Sequence, residues 1–348
     1  MTRRQLLSTA VSAPALFSTA KKLSADSKPV LGGAPTAFSL RMRAARQENK
    51  PFDILEHCHQ LGLTGVETML PSKDPAAIKA FRQKAEQLNL RVILNAPLPK
   101  SQVDVAAFDS AVQACKECGG IALHAAMTAR RYEQFDNFPA FKKNFEQNQL
   151  SVSLAEPILR KHRIRLAVEN HKGWRAAEQA AWMKRLGSEW VGVCLDFGNN
   201  IALCETPQET YELLAPFTIF THIKDMGVQM YDEGFLLSEV VFGQGVVPLS
   251  QTVKMLHDKD PNMLFCLEMI TRDPLKIPVF TDKYWATFDD TYSPLPGRDL
   301  AHVLELVRHN PPKAPLPQIS GLSPAEQVKA EDDYNLKCIE YARQNLGF

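Results

Sequence analysis

Four short apolar segments, each with an acid or a histidine at its carboxyl end, constrain the fold of this chain more than any other feature. They occupy residues 167–171, 194–199, 221–225 and 266–269. Each segment has the length and β-branched content of a strand, and all but the last precede a stretch with helical spacing. Repeated alternation of strand and helix predicts a parallel (β/α)8 barrel, in which the carboxyl ends of the strands carry the chemistry.

The alternation of side chains places four polar residues, Glu169, Asp196, His222 and Glu268, on one face. Residues of opposite parity are apolar: Val191, Val193 and Leu195 around Asp196, and Phe265, Leu267 and Met269 around Glu268. Neighbouring side chains of a strand point to opposite faces, so the polar set is predicted to face the barrel interior. Three carboxylates and one imidazole at one point predict one divalent metal ion, and these ligands suit Mn²⁺, Co²⁺ or Zn²⁺ without choosing among them.

Length and charge limit the class of protein. The chain has 348 residues, more than the roughly 250 residues of a single barrel, so we expect one barrel with extensions. The formal net charge of +1 provides no electrostatic footprint for nucleic acid or for an anionic membrane. We therefore expect a small-molecule partner, with no nucleic acid and no membrane, and leave assembly into a homo-oligomer open.

The amino terminus resembles a Tat-type export signal. Arg3 and Arg4 precede a mildly apolar stretch that runs to Phe17 and a small-residue exit at residues 18–20, a pattern typical of secretory leaders. The stretch is too short and too polar to span a membrane. We expect export to the periplasm or the cell exterior, and a disordered basic tail is the alternative.

Eight strands are predicted, near residues 40, 67, 93, 123, 168, 195, 221 and 266, the first covering residues 37–42. An excursion at residues 228–247 is predicted to contain a hairpin. The loop at residues 271–296 is long enough to predict a functional cover over the barrel mouth. The predicted domains are a signal and linker over residues 1–35, the barrel over residues 36–312, and a carboxyl-terminal linker and helix over residues 313–348.

The order of these motifs resembles the xylose-isomerase-like TIM-barrel superfamily, which includes sugar-phosphate isomerases and epimerases. The resemblance rests on Val168-Glu169-Asn170-His171, Leu195-Asp196-Phe197-Gly198-Asn199, His222-Ile223-Lys224-Asp225 and Gly243-Gln244-Gly245. It implies that Glu169, Asp196, His222 and Glu268 bind the metal and that the two glutamates are the catalytic acid and base. Asn199 stands where many of the epimerases have a histidine, and no arginine directly follows His222, where some hold substrate hydroxyls.

Six further residues are predicted to contact substrate: His171, Lys224, Glu67, Asn95, His124 and Arg272. For each, a structural role is the alternative. His171 would then orient a metal ligand, and Lys224 would be a solvated lysine on the rim instead of stabilising an oxyanion. Arg272 would pair with Asp273 instead of holding a hydroxyl or carboxylate.

The function expected from this set is metal-dependent isomerisation or epimerisation of a sugar or keto-sugar through an enediolate, with proton transfer by the two glutamates. A lyase or hydrolase acting on a keto-sugar or keto-glycoside through the same site is the alternative. A phosphodiesterase resembling endonuclease IV would need more histidines and a basic groove. A non-catalytic carbohydrate-binding barrel would show no turnover sensitive to a chelator.

Overall fold

The computed structural model describes residues 28–288 and 297–348. The predicted export signal and residues 289–296 of the predicted mouth loop lie outside this range. The strands are β1 (Val30–Gly33), β2 (Gly65–Met69), β3 (Arg91–Asn95), β4 (Gly120–Ala125), β5 (Arg165–Glu169), β6 (Val191–Asp196), β7 (Thr218–Ile223), β8 (Asp225–Tyr231), β9 (Gly234–Val240), β10 (Leu264–Leu267) and β11 (Leu275–Ile277).

Eight of these strands close into a parallel barrel in the order β1-β10-β7-β6-β5-β4-β3-β2. The predicted (β/α)8 barrel is therefore confirmed. The helices are α1 (Ser39–Gln47), α2 (Ile54–Gln60), α3 (Pro75–Gln87), α4 (Val105–Glu117), α5 (Arg131–Gln134), α6 (Phe138–His162), α7 (Ala176–Leu186), α8 (Pro207–Leu214), α9 (Leu249–Lys259), α10 (Asp282–Trp285), α11 (Gly297–His309) and α12 (Pro324–Asn345).

Local sequence explains where several helices start. Asp74 accepts a hydrogen bond from the backbone of Ala77, and Pro75 occupies the first turn of α3, where a missing N–H costs nothing. Ser323 and Glu326 form a reciprocal capping box at the start of α12. No helix in the described ranges has both the length and the apolar character needed to cross a membrane.

The core has two layers that follow the predicted alternation. A small cluster inside the barrel includes Ile93, Cys194, Phe220 and Cys266. The larger cluster lies between the strands and the helices and contains the predicted outward set, Val191, Val193, Leu195, Phe265, Leu267 and Met269. The period of two along each strand therefore assigned the two faces correctly.

The predicted first strand is wrong. Residues 37–42 lie in a 3₁₀ turn, Pro35–Phe38, and in helix α1, whereas the strand is Val30–Gly33. A Cβ on Gly32 would approach the backbone carbon of Gly65 to 2.9 Å, so close packing of β1 on β2 requires glycine there. That glycine removes the apolar side chain by which a strand is recognised in a sequence.

The excursion between the last two barrel strands contains β8 and β9, which confirm the predicted hairpin. Strand β11, which follows the last barrel strand, pairs with β9 and completes a three-stranded antiparallel sheet in the order β11-β9-β8. Asp225 anchors the return of this excursion to the barrel. Its carboxylate accepts hydrogen bonds from the backbone N–H groups of Gly243, Gly245 and Val247 at 2.9, 2.9 and 3.0 Å. The Gly243-Gln244-Gly245 motif thus wraps around one buried carboxylate.

Helix α12 packs against helix α1. Glu331 is fully buried, and its carboxylate accepts hydrogen bonds from the backbone N–H groups of Leu40 and Arg41 at 2.7 and 2.9 Å. These N–H groups lie in the first turn of α1 and have no partner inside that helix. Burial raises the pKa of Glu331 to about 7, although the two N–H groups oppose the shift.

Candidate metal centre

The barrel brings the four predicted ligands to one point. Glu169 and Asp196 are the last residues of β5 and β6, His222 is near the end of β7, and Glu268 directly follows β10. One potential ligand atom from each residue lies within 4.8 Å of those of the others. None of the four is more than 4% exposed, so the cluster is shielded from solvent at the carboxyl end of the barrel.

One ligand atom of this cluster, His222 Nδ1, has no hydrogen bond within the described residues. It lies 3.7 Å from Glu169 Oε1 and 3.6 Å from Glu268 Oε1. Both carboxylate oxygens of Asp196 have partners: Oδ1 accepts hydrogen bonds from the N–H groups of Gly198 and Asn199 at 2.9 and 2.7 Å, and Oδ2 faces Lys224 Nζ. Buried polar atoms are normally satisfied, so His222 Nδ1 marks a place for a further ligand.

Glu67 fixes the orientation of the His222 ring through a hydrogen bond. Its Oε2 lies 2.6 Å from His222 Nε2, and its Oε1 lies 3.0 Å from His124 Nδ1. Burial alone would raise the pKa of Glu67, but the two histidines lower it well below its usual range. The carboxylate therefore accepts a proton-bearing Nε2, which turns Nδ1 of His222 toward the other three ligands.

His124 extends this network to Glu169, one of the two predicted catalytic glutamates. Its Nε2 lies 3.2 Å from Glu169 Oε2. The thiol of Cys194, on the inward face of β6, forms with His124 and His222 a second group of atoms within 4.8 Å of one another that suits a metal ion. The two groups share His222, and only the first offers the three carboxylates that a hard divalent cation favours.

Lys224 lies inside the cluster, and the alternative of a solvated rim lysine is wrong. The residue is 1% exposed, and its Nζ is 2.7 Å from Asp196 Oδ2 and 2.6 Å from Glu268 Oε2. Burial alone would raise the pKa of Glu268, but the Lys224 ammonium and His222 lower it to about 2. Burial raises the pKa of Asp196 to about 6 despite the opposing charge of Lys224.

Arg272 and His171 lie near this cluster but make other contacts. Arg272 Nε and Nη2 donate to the carboxylate of Glu239 at 3.0 and 2.6 Å, so the alternative pairing with Asp273 is wrong. His171 Nδ1 lies 2.8 Å from the carbonyl oxygen of Thr128. Burial lowers the pKa of His171, which favours a neutral ring beside the site.

Three residues that sequence reasoning did not assign to the site contact it. Asn199 donates from Nδ2 to Glu169 Oε1 at 2.9 Å and accepts from Lys224 Nζ at 3.3 Å. Lys172, which is 2% exposed, donates to the same Asn199 oxygen, and burial together with Lys224 and Arg272 lowers its pKa to about 8. Thr36 donates from Oγ1 to Glu268 Oε1 at 2.9 Å.

A cavity of about 620 Å³ opens beside the cluster, at the carboxyl ends of β3 and β4. Two of the predicted substrate residues, Asn95 and His124, line it. Asn95 also donates from Nδ2 to Glu67 Oε1 at 2.9 Å. The cavity and the buried ligand cluster are therefore joined through His124 and the Glu67 network.

Known proteins share this architecture. The crystal structure of D-psicose 3-epimerase in the presence of D-fructose is 13% identical, with a TM-score of 0.56 over 92% of this chain and 100% of that one. The 3-keto-D-glucoside 4-epimerase YcjR from E. coli is 11% identical, with a TM-score of 0.50 over 81% of this chain and 100% of that one. At these identities the likeness is one of fold.

Sequence comparison gives a closer assignment. A 103-residue stretch is 30% identical to 3-oxo-isoapionate decarboxylase from Pectobacterium atrosepticum, and it covers 28% of this chain and 38% of that protein's length. The xylose isomerase-like TIM barrel model matches residues 55–286, which is more than half of the chain. The chain therefore belongs to the xylose isomerase-like TIM barrel family.

Proposed function

We propose that this protein is a divalent-metal-dependent isomerase or epimerase that moves a proton next to the carbonyl group of a sugar or keto-sugar. One observation carries the proposal: two glutamate carboxylates flank His222 Nδ1 at 3.7 and 3.6 Å inside a buried cluster that also contains Asp196. Inversion at one carbon removes a proton from one face and returns one to the opposite face, which two such groups can do. The two solved structures named above are sugar epimerases, and their names agree with this reaction class.

The donor set fits a divalent ion. His222 Nδ1 lacks a hydrogen bond within the described part of the chain, and it belongs to a cluster with three buried carboxylates that a divalent cation would neutralise. Glu169, Asp196, His222 and Glu268 would hold the ion, and their mixed oxygen and nitrogen atoms suit Mn²⁺, Co²⁺ or Zn²⁺. Such an ion supplies Lewis-acid polarisation of a substrate carbonyl.

The two glutamates have different surroundings, which suits one of them to proton removal and the other to proton return. Glu169 accepts a hydrogen bond from Asn199 and lies beside His124. Glu268 accepts hydrogen bonds from Thr36 and Lys224 at 2.9 and 2.6 Å. The charge-assisted contact with Lys224 holds Glu268 ionised, so it begins the reaction able to accept the substrate proton. Glu169 delivers a proton to the other face, and His124, whose Nε2 lies 3.2 Å from Glu169 Oε2, supplies that proton to it.

Lys224 also stabilises the negative charge that develops on the substrate. Its ammonium lies among the ligands, beside Asp196 and Glu268, so a positive charge is already in place as an enediolate oxygen gains charge. Preorganised donors of this kind are among the largest contributions to catalysis. Asn199, which contacts both Lys224 and Glu169, fixes the distance between the cation and the carboxylate.

Solvent exchange tests the proposal. Incubation of the metal-loaded protein with a panel of ketoses and keto-glycosides in deuterated water should place deuterium next to the carbonyl, and a chelator should abolish the exchange. Glu169→Gln and Glu268→Gln should each lower the rate by about 10²- to 10⁴-fold. Glu86→Gln, which removes an exposed carboxylate paired with Arg82, is the matched control and should change nothing.

Metal content must be measured beside the rate, because both glutamates are also proposed ligands. A metal-loaded Glu169→Gln or Glu268→Gln protein with near-normal turnover would contradict the assignment of that residue as acid or base. Chelator-insensitive exchange would contradict the metal dependence.

A second candidate is decarboxylation of a keto acid at the same centre, favoured by the 30% identity to 3-oxo-isoapionate decarboxylase over 103 residues. Loss of carbon dioxide from a 3-oxo acid leaves an enolate, which is an enediolate when C2 also carries a hydroxyl group, and the same residues would protonate it. Measuring carbon dioxide release beside deuterium exchange separates the two: a decarboxylase releases it in step with product, and an epimerase releases none.

A further inference from the structure

The cavity of about 620 Å³ beside the metal centre is larger than one sugar ring requires. Its volume lies within the range of about 300–1,000 Å³ typical of pockets for drug-sized ligands. His124 lies between the ligand cluster and the cavity, because it lines the cavity and its Nε2 lies 3.2 Å from Glu169 Oε2. The cavity is therefore next to the place where the proposed function puts the reacting carbons.

The lining combines apolar side chains with amides. Met69, Leu98 and Met127 supply the apolar part, and Met69 is 58% exposed, which is unusual for a side chain of its size and character. Lys100 contributes one positive charge, and no carboxylate lies among the described residues around the cavity. Such a surface suits a neutral ligand that has both C–H faces and hydroxyl groups.

Three amide side chains on the cavity wall each have one hydrogen-bonding atom with no partner among the described residues. Asn95 Oδ1 has no partner among the described residues. The carbonyl oxygen of Asn144 already accepts hydrogen bonds from Thr128 and Asn148 at 2.8 and 3.1 Å, while its amide nitrogen donates to none of the described residues. Gln147 donates to the carbonyl oxygen of Lys100 at 2.8 Å, which leaves its own oxygen available.

We infer that this cavity is a subsite for a second sugar ring, so that the substrate is a keto-glycoside of two rings with the oxidised ring at the metal centre. Hydroxyl groups of the second ring match the spare amide atoms, and its C–H faces match the apolar side chains. The inference rests on the proposed function, because that function places the first ring at the ligand cluster.

One pair of variants tests the cavity separately from the metal centre. Ala126 lines it and is exposed, so Ala126→Trp fills the space with no cost to the core. Ala129 is an exposed alanine of the same loop that does not line the cavity, and Ala129→Trp is the matched control. Neither residue belongs to the metal centre.

Binding is measured first, because it does not require turnover. In NMR titrations the wild-type protein should bind cellobiose more tightly than methyl β-glucoside. Ala126→Trp should weaken cellobiose binding by about tenfold or more, as expected for loss of one well-packed group, and should leave methyl β-glucoside unchanged. Ala129→Trp should behave as wild type. Equal affinity for the two sugars, or no effect of Ala126→Trp on cellobiose, overturns the subsite.

Exchange kinetics then separate this inference from the proposed function. The 3-keto derivatives of the same two sugars serve as probes in deuterated water. Ala126→Trp should lower kcat/KM for the two-ring probe alone. Chelator-sensitive exchange that Ala126→Trp reduces equally, or not at all, for both probes overturns the subsite and keeps the function. Absence of exchange from both probes, with the cellobiose preference intact, supports the subsite and contradicts the function.

Discussion

Replacing Lys224 with methionine removes the single ammonium group that lies between two of the proposed ligands. The side chain is 1% exposed, and its Nζ is 2.7 Å from Asp196 Oδ2 and 2.6 Å from Glu268 Oε2. Methionine keeps an unbranched side chain of similar length and removes the charge. In the metal-free protein the variant therefore buries carboxylates with no cation between them.

The expected loss of unfolding free energy follows from this burial. Removing one partner from a buried ion pair costs about 3–5 kcal/mol of unfolding free energy, because the remaining charge is neither solvated nor compensated. A divalent ion should restore much of that loss, since it neutralises the same carboxylates. If loss of the nearby ammonium tightens the ion's Kd tenfold, stabilisation by saturating Mn²⁺ grows by about 1.4 kcal/mol relative to wild type.

Urea denaturation with and without Mn²⁺ after chelator treatment measures both quantities. Lys254→Met is the matched control: Lys254 forms an ion pair with Asp258 and its side chain is 75% exposed, so its loss should cost at most about 0.5 kcal/mol. Metal-free Lys224→Met that is as stable as Lys254→Met, or a smaller increment from Mn²⁺ than in wild type, would refute the placement of Lys224 among the metal ligands.

Three further predictions concern other parts of the chain. Glu67→Gln should weaken metal affinity by about 10- to 100-fold, because it removes the carboxylate that orients His222; a competition assay with a chromogenic chelator measures this, and unchanged affinity would contradict the role. The folded-state pKa of Glu331 is raised from 4.5 to about 7, so the folded protein binds the extra proton and the free energy of unfolding should fall as the pH rises through this window. Glu331→Gln should lessen that fall in urea denaturation at pH 5 to 8, and an identical pH profile would argue against it. We also propose export through the Tat pathway: replacing Arg3 and Arg4 with lysine should retain the precursor in the cytoplasm, and unchanged export in a fractionation assay would exclude this pathway.

The late strands and their inward residues were predictable because their sequence signals are local. Around Asp196 and Glu268, apolar residues alternate with inward-facing ones, and period-two alternation assigns the faces without knowledge of the fold. The first strand gave no such signal, because Gly32 must be a glycine to pack against Gly65. Misplacing that strand also concealed Thr36, which lies in the turn after it and contacts Glu268.

Lys172 and Glu67 show the second limit of sequence reasoning. Nothing in the local sequence indicates that Lys172 is 2% exposed beside a second buried lysine, because its burial depends on Asn199 of the next strand-end loop. Glu67 was predicted to face the interior from the end of the second strand; it faces the interior, but from the middle of β2. Its partner His222 lies 155 residues away, and the pairing becomes visible only when the barrel closes.

The pairing of the barrel strands also predicts when the metal site forms during folding. Strand β10 pairs with β1, and the hydrogen bond from Thr36 to Glu268 joins residues 232 positions apart. Contacts between such distant residues form slowly, because the entropy of closing a long loop is lost before they stabilise anything. Glu268 reaches the other three ligands when β10 pairs with β7, whereas Thr36 reaches Glu268 only when β10 also pairs with β1. We therefore expect a tight metal site during refolding to report the docking of β10 on β7, and an amino-terminal fragment that stops before β10 should lack that site.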